Sequence, residues 1–502
     1  MTPPAPSEAR LSSILKSVWN PDKSLEQNAK SLVHALYGEA LPDVEPSANK
    51  PEPTGLKVLD VLANILTGDP SNQSYFYWQK VVLPFAQMLD TSNYPLPIQI
   101  AFVLFVYARV VPFLGPDTFS MPPSIMTLDG SPIELSWIIP SSNLKGPTAD
   151  DKPNRTVRFA IEPRDPMTGK FHKGARMLDY YISQLGNFGG MVKIEDDGML
   201  WRRKIEKFMF PEEGDFRGEE VGEEVLPGSR FMLGMDFNPS GVIVLKAYYV
   251  AFRAPPWDPA SPPLNTQSPV FLGDIDLSPF RKLAEELDSS LVEPFDLLME
   301  YTNSIDKELR PAFEIVATDC LTPSKNRLKI YCRTMKGTSW DDAKNGFTLG
   351  GRLNGPEMEG VIKVLETLWD TMFPDAIQNH SKPLERSKDV VKAEKNLHPL
   401  GGLLYYYEFV PGQNLVFPKV YLPIRVYSAN DLNVCEALER FYRRIGLAEH
   451  LSEGWFVQEV SKSYSHRPLD TPGKSIQTYM TFSMKKHGWE LTSYFSPEVW
   501  LN

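Results

Sequence analysis

The chain has 502 residues, enough for a large core, with 42% apolar and 11% aromatic residues. Its net charge of -11 argues against a general nucleic-acid binder. Three cysteines without metal-like spacing favour a reducing, cytoplasmic location.

The first 54 residues are predicted to form an N-terminal extension with one helix, Ser24–Tyr37, and a Pro-rich linker, Leu41–Pro53. The first residues lack the basic and apolar regions typical of a signal peptide. The longest apolar run, Ile98–Val111, is short for a membrane span and predicts a buried helix, so no span is expected.

Residues 55–502 are predicted to form one domain in which helices alternate with β-hairpins. Apolar spacing of three and four residues predicts helices, and period-two alternation predicts strands. The predicted helices are Leu56–Leu66, Gln73–Leu89, Pro95–Val111, Ala175–Leu185, Ser278–Asp306, Pro356–Met372 and Asp431–Arg444. The predicted hairpins are Pro132–Trp137 with Arg155–Glu162, Arg230–Phe237 with Val242–Val250, Ala312–Thr318 with Arg327–Arg333, Leu403–Phe409 with Val416–Val426, and Ser475–Met484 with Glu490–Phe495.

The fold class expected from this order is α+β. Ten antiparallel strands from five hairpins can close into a barrel wide enough for a ligand, with the helices outside. Two separate α+β sheets are the alternative. Three insertions, Pro140–Asn154, the acidic segment Gly189–Gly228 and Pro255–Gln267, are interpreted as surface loops.

Several strands carry cations and tyrosines on the face opposite their apolar face. If the apolar faces pack under the helices, the other faces point into the barrel. A single such strand is more often a solvent-exposed face, but the pattern recurs on four further strands. The residues predicted to face inward are Arg158, Lys246, Arg327, Lys329 and Lys419, with Tyr248, Tyr331, Tyr421 and Tyr479.

This combination favours an allylic diphosphate as ligand. Five buried like charges are costly unless an anion joins them, and a diphosphate suits both arginine and lysine. Tyrosine rings present negative faces that stabilise a carbocation after the diphosphate leaves. A non-catalytic barrel that binds an anionic lipid, and a hydrolase that lets water quench the cation, are the rival hypotheses.

One inward carboxylate stands apart from the cations. Glu134 lies opposite Ile133, Leu135 and Trp137 in the strand alternation, so it faces the barrel interior. It could accept a hydrogen bond from a ring N–H or take a proton. The alternative is an ion pair with Arg158 on the neighbouring strand. Glu162 and Glu408 are weaker candidates for the same role.

The aspartates do not form a magnesium motif. Asp150-Asp151, Asp196-Asp197 and Asp341-Asp342 each lack the third aspartate of a DDxxD site, and the histidines have no HExxH spacing. No metal site is therefore predicted.

Taken in order, five motifs resemble the fungal dimethylallyltryptophan-synthase-type aromatic prenyltransferases, which have the ABBA (αββα repeat) barrel. The resemblance covers roughly residues 55–496. The motifs are Gly-Ser-Pro-Ile-Glu134, Val-Arg158-Phe, Leu-Lys246-Ala-Tyr248, Arg327-Leu-Lys329-Ile-Tyr331 and Pro-Lys419-Val-Tyr421-Leu-Pro.

The resemblance implies a role for each matched residue. Glu134 would bind the indole N–H and assist deprotonation. Arg158, Lys246, Arg327 and Lys329 would bind the donor diphosphate, and Lys419, where some members carry Gln, would still serve a phosphate. Tyr248, Tyr331, Tyr421 and Tyr479 would form the tyrosine shield around the prenyl cation.

The resemblance also implies the reaction and its partners. The donor would be dimethylallyl diphosphate or a longer prenyl diphosphate, and the acceptor an aromatic small molecule such as an indole or a phenol. No cofactor would be required, with Mg²⁺ or Ca²⁺ at most stimulatory. The oligomeric state is left open between a monomer and a homodimer.

Two departures argue against free tryptophan as the acceptor. The strand Arg230–Asp236 lacks a lysine that tryptophan-using members often have, and Ser483 stands where a second tyrosine is expected near Tyr479. Met232 and Gly234 are instead predicted to line the cavity for a larger, less polar aromatic molecule.

Overall fold

The computed structural model describes most of the chain, with gaps. The described residues are 7–37, 54–66, 73–117, 124, 126–127, 129–141, 155–165, 174–183, 187–193, 195, 197–209, 231–250, 277–306, 309–334, 337–389, 401–447 and 451–500. The predicted linker Leu41–Pro53, the insertion Pro255–Gln267 and nearly all of Pro140–Asn154 lie outside them.

Ten antiparallel strands close into one barrel, as predicted. Neighbouring strands are consecutive in sequence, and β1 pairs with β10 to close the ring. Each predicted hairpin is formed. The strands are β1 Ile133–Pro140, β2 Thr156–Ile161, β3 Phe231–Phe237, β4 Ile243–Val250, β5 Ala312–Asp319, β6 Leu328–Arg333, β7 Leu404–Phe409, β8 Val416–Leu422, β9 Gln477–Lys485 and β10 Gly488–Phe495.

Helices lie outside the barrel and cover the apolar strand faces. They are Ser7–Val18, Leu25–Tyr37, Lys57–Leu66, Gln73–Tyr77, Leu83–Thr91, Leu96–Phe105, Gly174–Ile182, Leu200–Met209, Ser278–Leu287, Val292–Ser304, Trp340–Phe347, Pro356–Met372, Ile424–Tyr427, Asp431–Arg444 and Trp455–Ser463.

One predicted helix is interrupted, and one predicted strand is shorter than the apolar pattern indicates. The predicted helix Ser278–Asp306 is broken at Asp288, whose backbone is extended and whose side chain accepts a hydrogen bond from the Ser290 N–H. This is the geometry of an N-cap, which starts a new helix. The predicted strand Val416–Val426 ends at Leu422, because Pro423 has no N–H to donate to the ladder.

Among the described residues, five helices occupy stretches that were not predicted to be helical: Ser7–Val18, Leu200–Met209, Trp340–Phe347, Ile424–Tyr427 and Trp455–Ser463. Leu200–Met209 lies inside the acidic segment interpreted as a surface loop, and it buries Trp201 and Ile205. The charged residues Arg202 and Glu206 lie between the apolar ones and obscured their helical spacing in the sequence. In the structure these two side chains form an ion pair at 3.2 Å, which neutralises both charges. Residues 210–228 of that segment lie outside the described residues. Ser7–Val18 is a second helix in the N-terminal extension, where one helix was predicted, and it buries Leu11.

One helical stretch in the described residues, Leu96–Phe113, is long and apolar enough to cross a membrane by length and composition. The predicted helix Pro95–Val111 continues to Phe113 because a 3₁₀ turn, Val111–Phe113, follows it. In this structure it is a core helix, in which every residue from Ile98 to Phe105 is buried.

The period-two alternation separates two clusters of side chains. On β6, Leu328, Ile330 and Cys332 belong to the large core between barrel and helices. Tyr331 belongs to a second, inner cluster inside the barrel. The inner cluster consists of Ala317, Tyr331, Leu404, Tyr406 and Tyr421, with Tyr248, Ile315, Tyr479 and Tyr494 packed against it.

Candidate active site

The barrel encloses a cavity of about 440 Å³. Its wall combines charged groups, tyrosines and apolar side chains. All ten residues predicted to face inward line it: Glu134, Arg158, Lys246, Tyr248, Arg327, Lys329, Tyr331, Lys419, Tyr421 and Tyr479. Their proposed roles in binding and catalysis stay predictions.

Acidic residues that were not predicted balance the cations in the cavity. Asp236 on β3 lies directly opposite Arg158 on β2. Its Oδ1 is 2.5 Å from Arg158 Nε, and its Oδ2 accepts a hydrogen bond from Lys246. The expectation that only a bound anion could offset the buried cations was therefore wrong, because the sheet supplies internal counter-ions.

Asp319 at the end of β5 holds the next pair of cations. Its carboxylate lies 2.5 Å from Arg327 Nη2 and 2.8 Å from Lys329 Nζ. Although burial alone would raise the pKa of Asp319, these cations hold it far below its usual range. Asp319 is fully buried and remains ionised.

Glu408 extends this ion-pair network to the barrel rim. Its Oε2 lies 3.1 Å from Arg327 Nη1 and 3.4 Å from Lys485 Nζ. Burial would raise the pKa of Glu408, but Arg327 and Lys485 outweigh burial and lower it to about 2. The weaker candidate Glu408 is thus a counter-ion at the cationic end and lies far from Glu134.

Two lysines are held in surroundings that disfavour their charge. Burial, reinforced by Arg158, lowers the pKa of Lys246 to about 7. Burial also lowers the pKa of Lys419 well below its usual value. Among the described residues no carboxylate lies within ion-pair distance of Lys419. Its Nζ instead lies 4.9–5.3 Å from the ring centres of Tyr406, Tyr421 and Tyr494.

Six tyrosines form a belt around the middle of the cavity. The four predicted members are joined by Tyr406 on β7 and Tyr494 on β10. The ring centroids of Tyr331 and Tyr406 are 5.1 Å apart, and those of Tyr421 and Tyr494 are 5.6 Å apart. The second tyrosine expected at Ser483 is therefore supplied by the next strand.

Sequence patterns explain why these two tyrosines were missed. Tyr406 lies within three consecutive tyrosines, 405–407, so the alternation of apolar and polar residues does not show which of them points into the barrel. Tyr494 does alternate with Leu491 and Phe495, and assigning a face to β10 would have found it.

Glu134 lies apart from the cationic residues. Its side chain is buried, and its Oε1 accepts a hydrogen bond of 2.6 Å from Thr478 Oγ1. Burial raises the pKa of Glu134 to about 8. The alternative ion pair with Arg158 is wrong, because Arg158 is bound to Asp236. The other candidate, Glu162, is buried with Arg164 at 3.2 Å and does not line the cavity.

Gly234 leaves room for the Tyr248 ring. A Cβ atom at Gly234 would lie 2.8 Å from Tyr248 Cε2, which is closer than real contacts allow. Of the two residues predicted to line the acceptor region, only Met232 lines the cavity. Gly234 instead fixes where a belt tyrosine can stand.

A sequence model of the tryptophan dimethylallyltransferase family matches residues 73–456, which is most of the chain. The chain belongs to this family. It is an aromatic prenyltransferase.

Curated relatives of this prenyltransferase are fungal enzymes. It is 24% identical to a 7-dimethylallyltryptophan synthase of Aspergillus fumigatus, over 86% of each chain. It is 29% identical to a 4-O-dimethylallyl-L-tyrosine synthase of Claviceps purpurea, over 82% of this chain and 85% of that enzyme. It is 24% identical to an indole diterpene prenyltransferase of Hypoxylon pulicicidum, over 86% and 93% of the two chains.

Solved structures share the fold of this prenyltransferase. The complex of NotF with brevianamide F and DMSPP superposes with a TM-score of 0.62 at 21% identity, covering 88% of this chain and 98% of that chain. AnaPT from Neosartorya fischeri gives a TM-score of 0.56 at 20% identity, with the same two coverages. The ABBA barrel expected from the sequence is confirmed.

The two ends of the prenyltransferase cavity differ in chemistry. Strand registers place Arg327, Glu408 and Lys485 toward one end. Glu134 and Thr478 lie toward the other end, and the tyrosine belt lies between. Within the described ranges, no three His, Cys, Asp or Glu side chains are grouped to hold a metal ion.

Proposed function

We propose that the prenyltransferase moves a dimethylallyl group from dimethylallyl diphosphate to an aromatic ring of an indole-containing or polycyclic metabolite. One observation carries this proposal. One cavity inside the barrel has paired cations toward one end, a buried carboxyl toward the other and six tyrosines between them.

The cationic end suits the departing diphosphate. Ionisation breaks the bond between C1 of the prenyl group and the diphosphate oxygen, and the bonding pair leaves with the oxygen. Arg158, Lys246, Arg327 and Lys329 would stabilise the charge that develops on the leaving group. Because Lys246 has a pKa of about 7, an arriving diphosphate would favour its protonated form.

The tyrosine belt would hold the carbocation between donor and acceptor. Its rings present negative faces to the cation, and their bulk would limit the access of water that would otherwise give the alcohol. A carbon of the acceptor ring attacks the cation, and loss of the ring proton restores aromaticity. Glu134, when ionised, would accept a hydrogen bond from the ring N–H and so strengthen the nucleophile.

A phenolic acceptor is the second candidate. The relative from Claviceps purpurea is named for dimethylallylation of tyrosine at oxygen, and it is 29% identical to this chain. A phenol O–H could donate to Glu134 as an indole N–H would.

We propose that catalysis does not require a metal ion, since arginine and lysine side chains can take the charge of the diphosphate. The test is incubation with dimethylallyl diphosphate, excess EDTA and a panel of indoles and phenols, followed by mass spectrometry. We expect a product heavier by one C5H8 unit. Prenyl alcohol as the sole product, or activity that returns only when Mg²⁺ is added, would contradict the proposal.

Replacing Lys329 with methionine should weaken donor binding by about 10- to 100-fold, because one charge-assisted contact to diphosphate is lost. The acceptor KM should change little. Calorimetric titration with a donor analogue measures the effect. Lys325→Met is the matched control, since Lys325 lies in the turn of the same hairpin and its side chain is 62% exposed. Equal donor affinities in both variants would remove Lys329 from the donor site.

A reducing compartment, the cytosol, is the proposed location, in keeping with three buried cysteines that carry no disulfide. The homodimer stays a prediction, which sedimentation of the purified chain would decide.

A further inference from the structure

A buried ion pair between Arg333 and Glu314 lies at the Glu134 end of the cavity. Arg333 at the end of β6 faces Glu314 on β5, and both side chains line the cavity while being almost fully buried. Arg333 Nε lies 2.5 Å from Glu314 Oε1, and Arg333 Nη2 lies 3.2 Å from Oε2. Both carboxylate oxygens are thus engaged by one guanidinium in forked geometry.

The third nitrogen of this guanidinium is also used. Arg333 Nη1 donates to the Tyr479 hydroxyl at 3.2 Å and to the Gly402 carbonyl at 3.5 Å. The positive charge of Arg333 is therefore balanced, and its N–H groups point to protein atoms. An acceptor that reached this wall would meet a neutral pair.

Tyr479 connects this pair to Glu134. Its oxygen accepts a hydrogen bond from Arg333, which leaves its O–H hydrogen to donate into the cavity. The preceding residue, Thr478, donates to Glu134. At this end Tyr479 therefore offers a phenol donor and Glu134 a carboxyl, while the charge of Arg333 is paired with Glu314.

On the basis of the proposed function, we propose that Glu314 determines acceptor selectivity by neutralising Arg333. The prenyltransferase would accept aromatic molecules whose substituents carry neutral carbonyl, amide or hydroxyl groups, which can take the Tyr479 hydrogen bond. A free carboxylate beside Arg333 would find that charge already engaged by Glu314 and would lie near two acidic side chains, which is unfavourable.

Two indoles that differ only in charge test this proposal. Indole-3-propionamide and indole-3-propionate are titrated into protein saturated with a thiolodiphosphate analogue of the donor. We expect the wild type to bind the amide about 10- to 100-fold more tightly than the acid. In Glu314→Gln the Arg333 charge is released, and binding of the acid should improve by about the same factor.

Glu206→Gln is the matched control. Glu206 also pairs with an arginine in a buried site, at 3.2 Å from Arg202, but outside the cavity. The Glu206→Gln variant should show the same ratio of indole-3-propionate affinity to indole-3-propionamide affinity as the wild type. If Glu314→Gln does not fold, a double variant, Glu314→Leu with Arg333→Leu, provides a second test because it removes both charges. It should bind the amide as the wild type does and should not bind the acid more tightly.

Equal binding of acid and amide by the wild type would overturn the selectivity role, as would an unchanged ratio in Glu314→Gln. Binding of neither indole would show that this end does not receive an indole, which also overturns it. The proposed transfer reaction would still stand if the donor assay gave C5H8 products with phenols.

Discussion

Replacing Glu134 with glutamine should lower kcat by about 10²- to 10³-fold while leaving donor affinity unchanged. Glutamine keeps the shape of the side chain but cannot become the charged hydrogen-bond acceptor that the ring N–H needs. Glu134 also lies away from the cations assigned to the diphosphate, so its loss should affect the chemical step. Single-turnover kinetics with a saturating donor measures this.

The pH profile gives a second measure of Glu134. Because the folded-state pKa is about 8, this carboxyl is mostly protonated at pH 7 and ionises above pH 8. Wild-type kcat/KM should therefore rise with pH through about 8, and the Glu134→Gln profile should lack that rise. Thr478→Val removes the hydrogen bond that favours ionisation, so its rise should move to higher pH. Superimposable profiles would exclude Glu134.

The pH dependence of thermal stability shows whether the Glu134→Gln variant is correctly folded. A carboxyl whose pKa is raised by folding keeps a proton that the unfolded chain has lost, so wild-type stability falls between the unfolded pKa, near 4.5, and about 8. Glu134→Gln should lack this decline and melt at a higher temperature than the wild type at pH 9. A variant that melts lower at every pH would indicate damaged packing.

Replacing Asp319 with asparagine should cost about 3–5 kcal/mol of stability, the usual penalty for removing one partner from a buried ion pair. Arg327 and Lys329 would lose a fully buried counter-ion in a wall that already holds Lys246. Inorganic pyrophosphate should restore most of the lost melting temperature, because a bound anion can replace the carboxylate. Thermal unfolding with and without pyrophosphate measures both effects.

Asp296→Asn provides the comparison. Asp296 forms an ion pair with Arg281 at 2.6 Å on the surface, and its side chain is 42% exposed. A surface pair contributes about 0–1 kcal/mol, so this variant should melt near the wild type and respond to pyrophosphate as the wild type does. The ion-pair interpretation fails if Asp319→Asn behaves in the same way.

Local patterning was sufficient to predict the barrel and ten of the residues that line its cavity. Alternation on β4, β6 and β8 distinguishes an apolar face from a charged one, and the strands of all five predicted hairpins pair as expected. The broken helix at Asp288 was missed because apolar spacing continues across the break, while the cap is a single side-chain hydrogen bond.

The counter-ions could not be predicted in the same way. Asp236 and Asp319 each stand at or near the end of a strand, where a carboxylate usually faces water. Only the registers of β2 with β3 and of β4 with β5 bring them beside Arg158 and Lys246. Registers between separate hairpins depend on barrel closure, a property of the whole chain.

The internal counter-ions also affect how the enzyme finishes a cycle. Pyrophosphate released from a wall of bare cations would leave several like charges unpaired, and it would dissociate slowly. Here Asp236, Asp319 and Glu408 stay beside those cations throughout. If these cations bind the leaving group as proposed, its departure would leave each of them with a carboxylate partner, so we expect weak product inhibition by pyrophosphate.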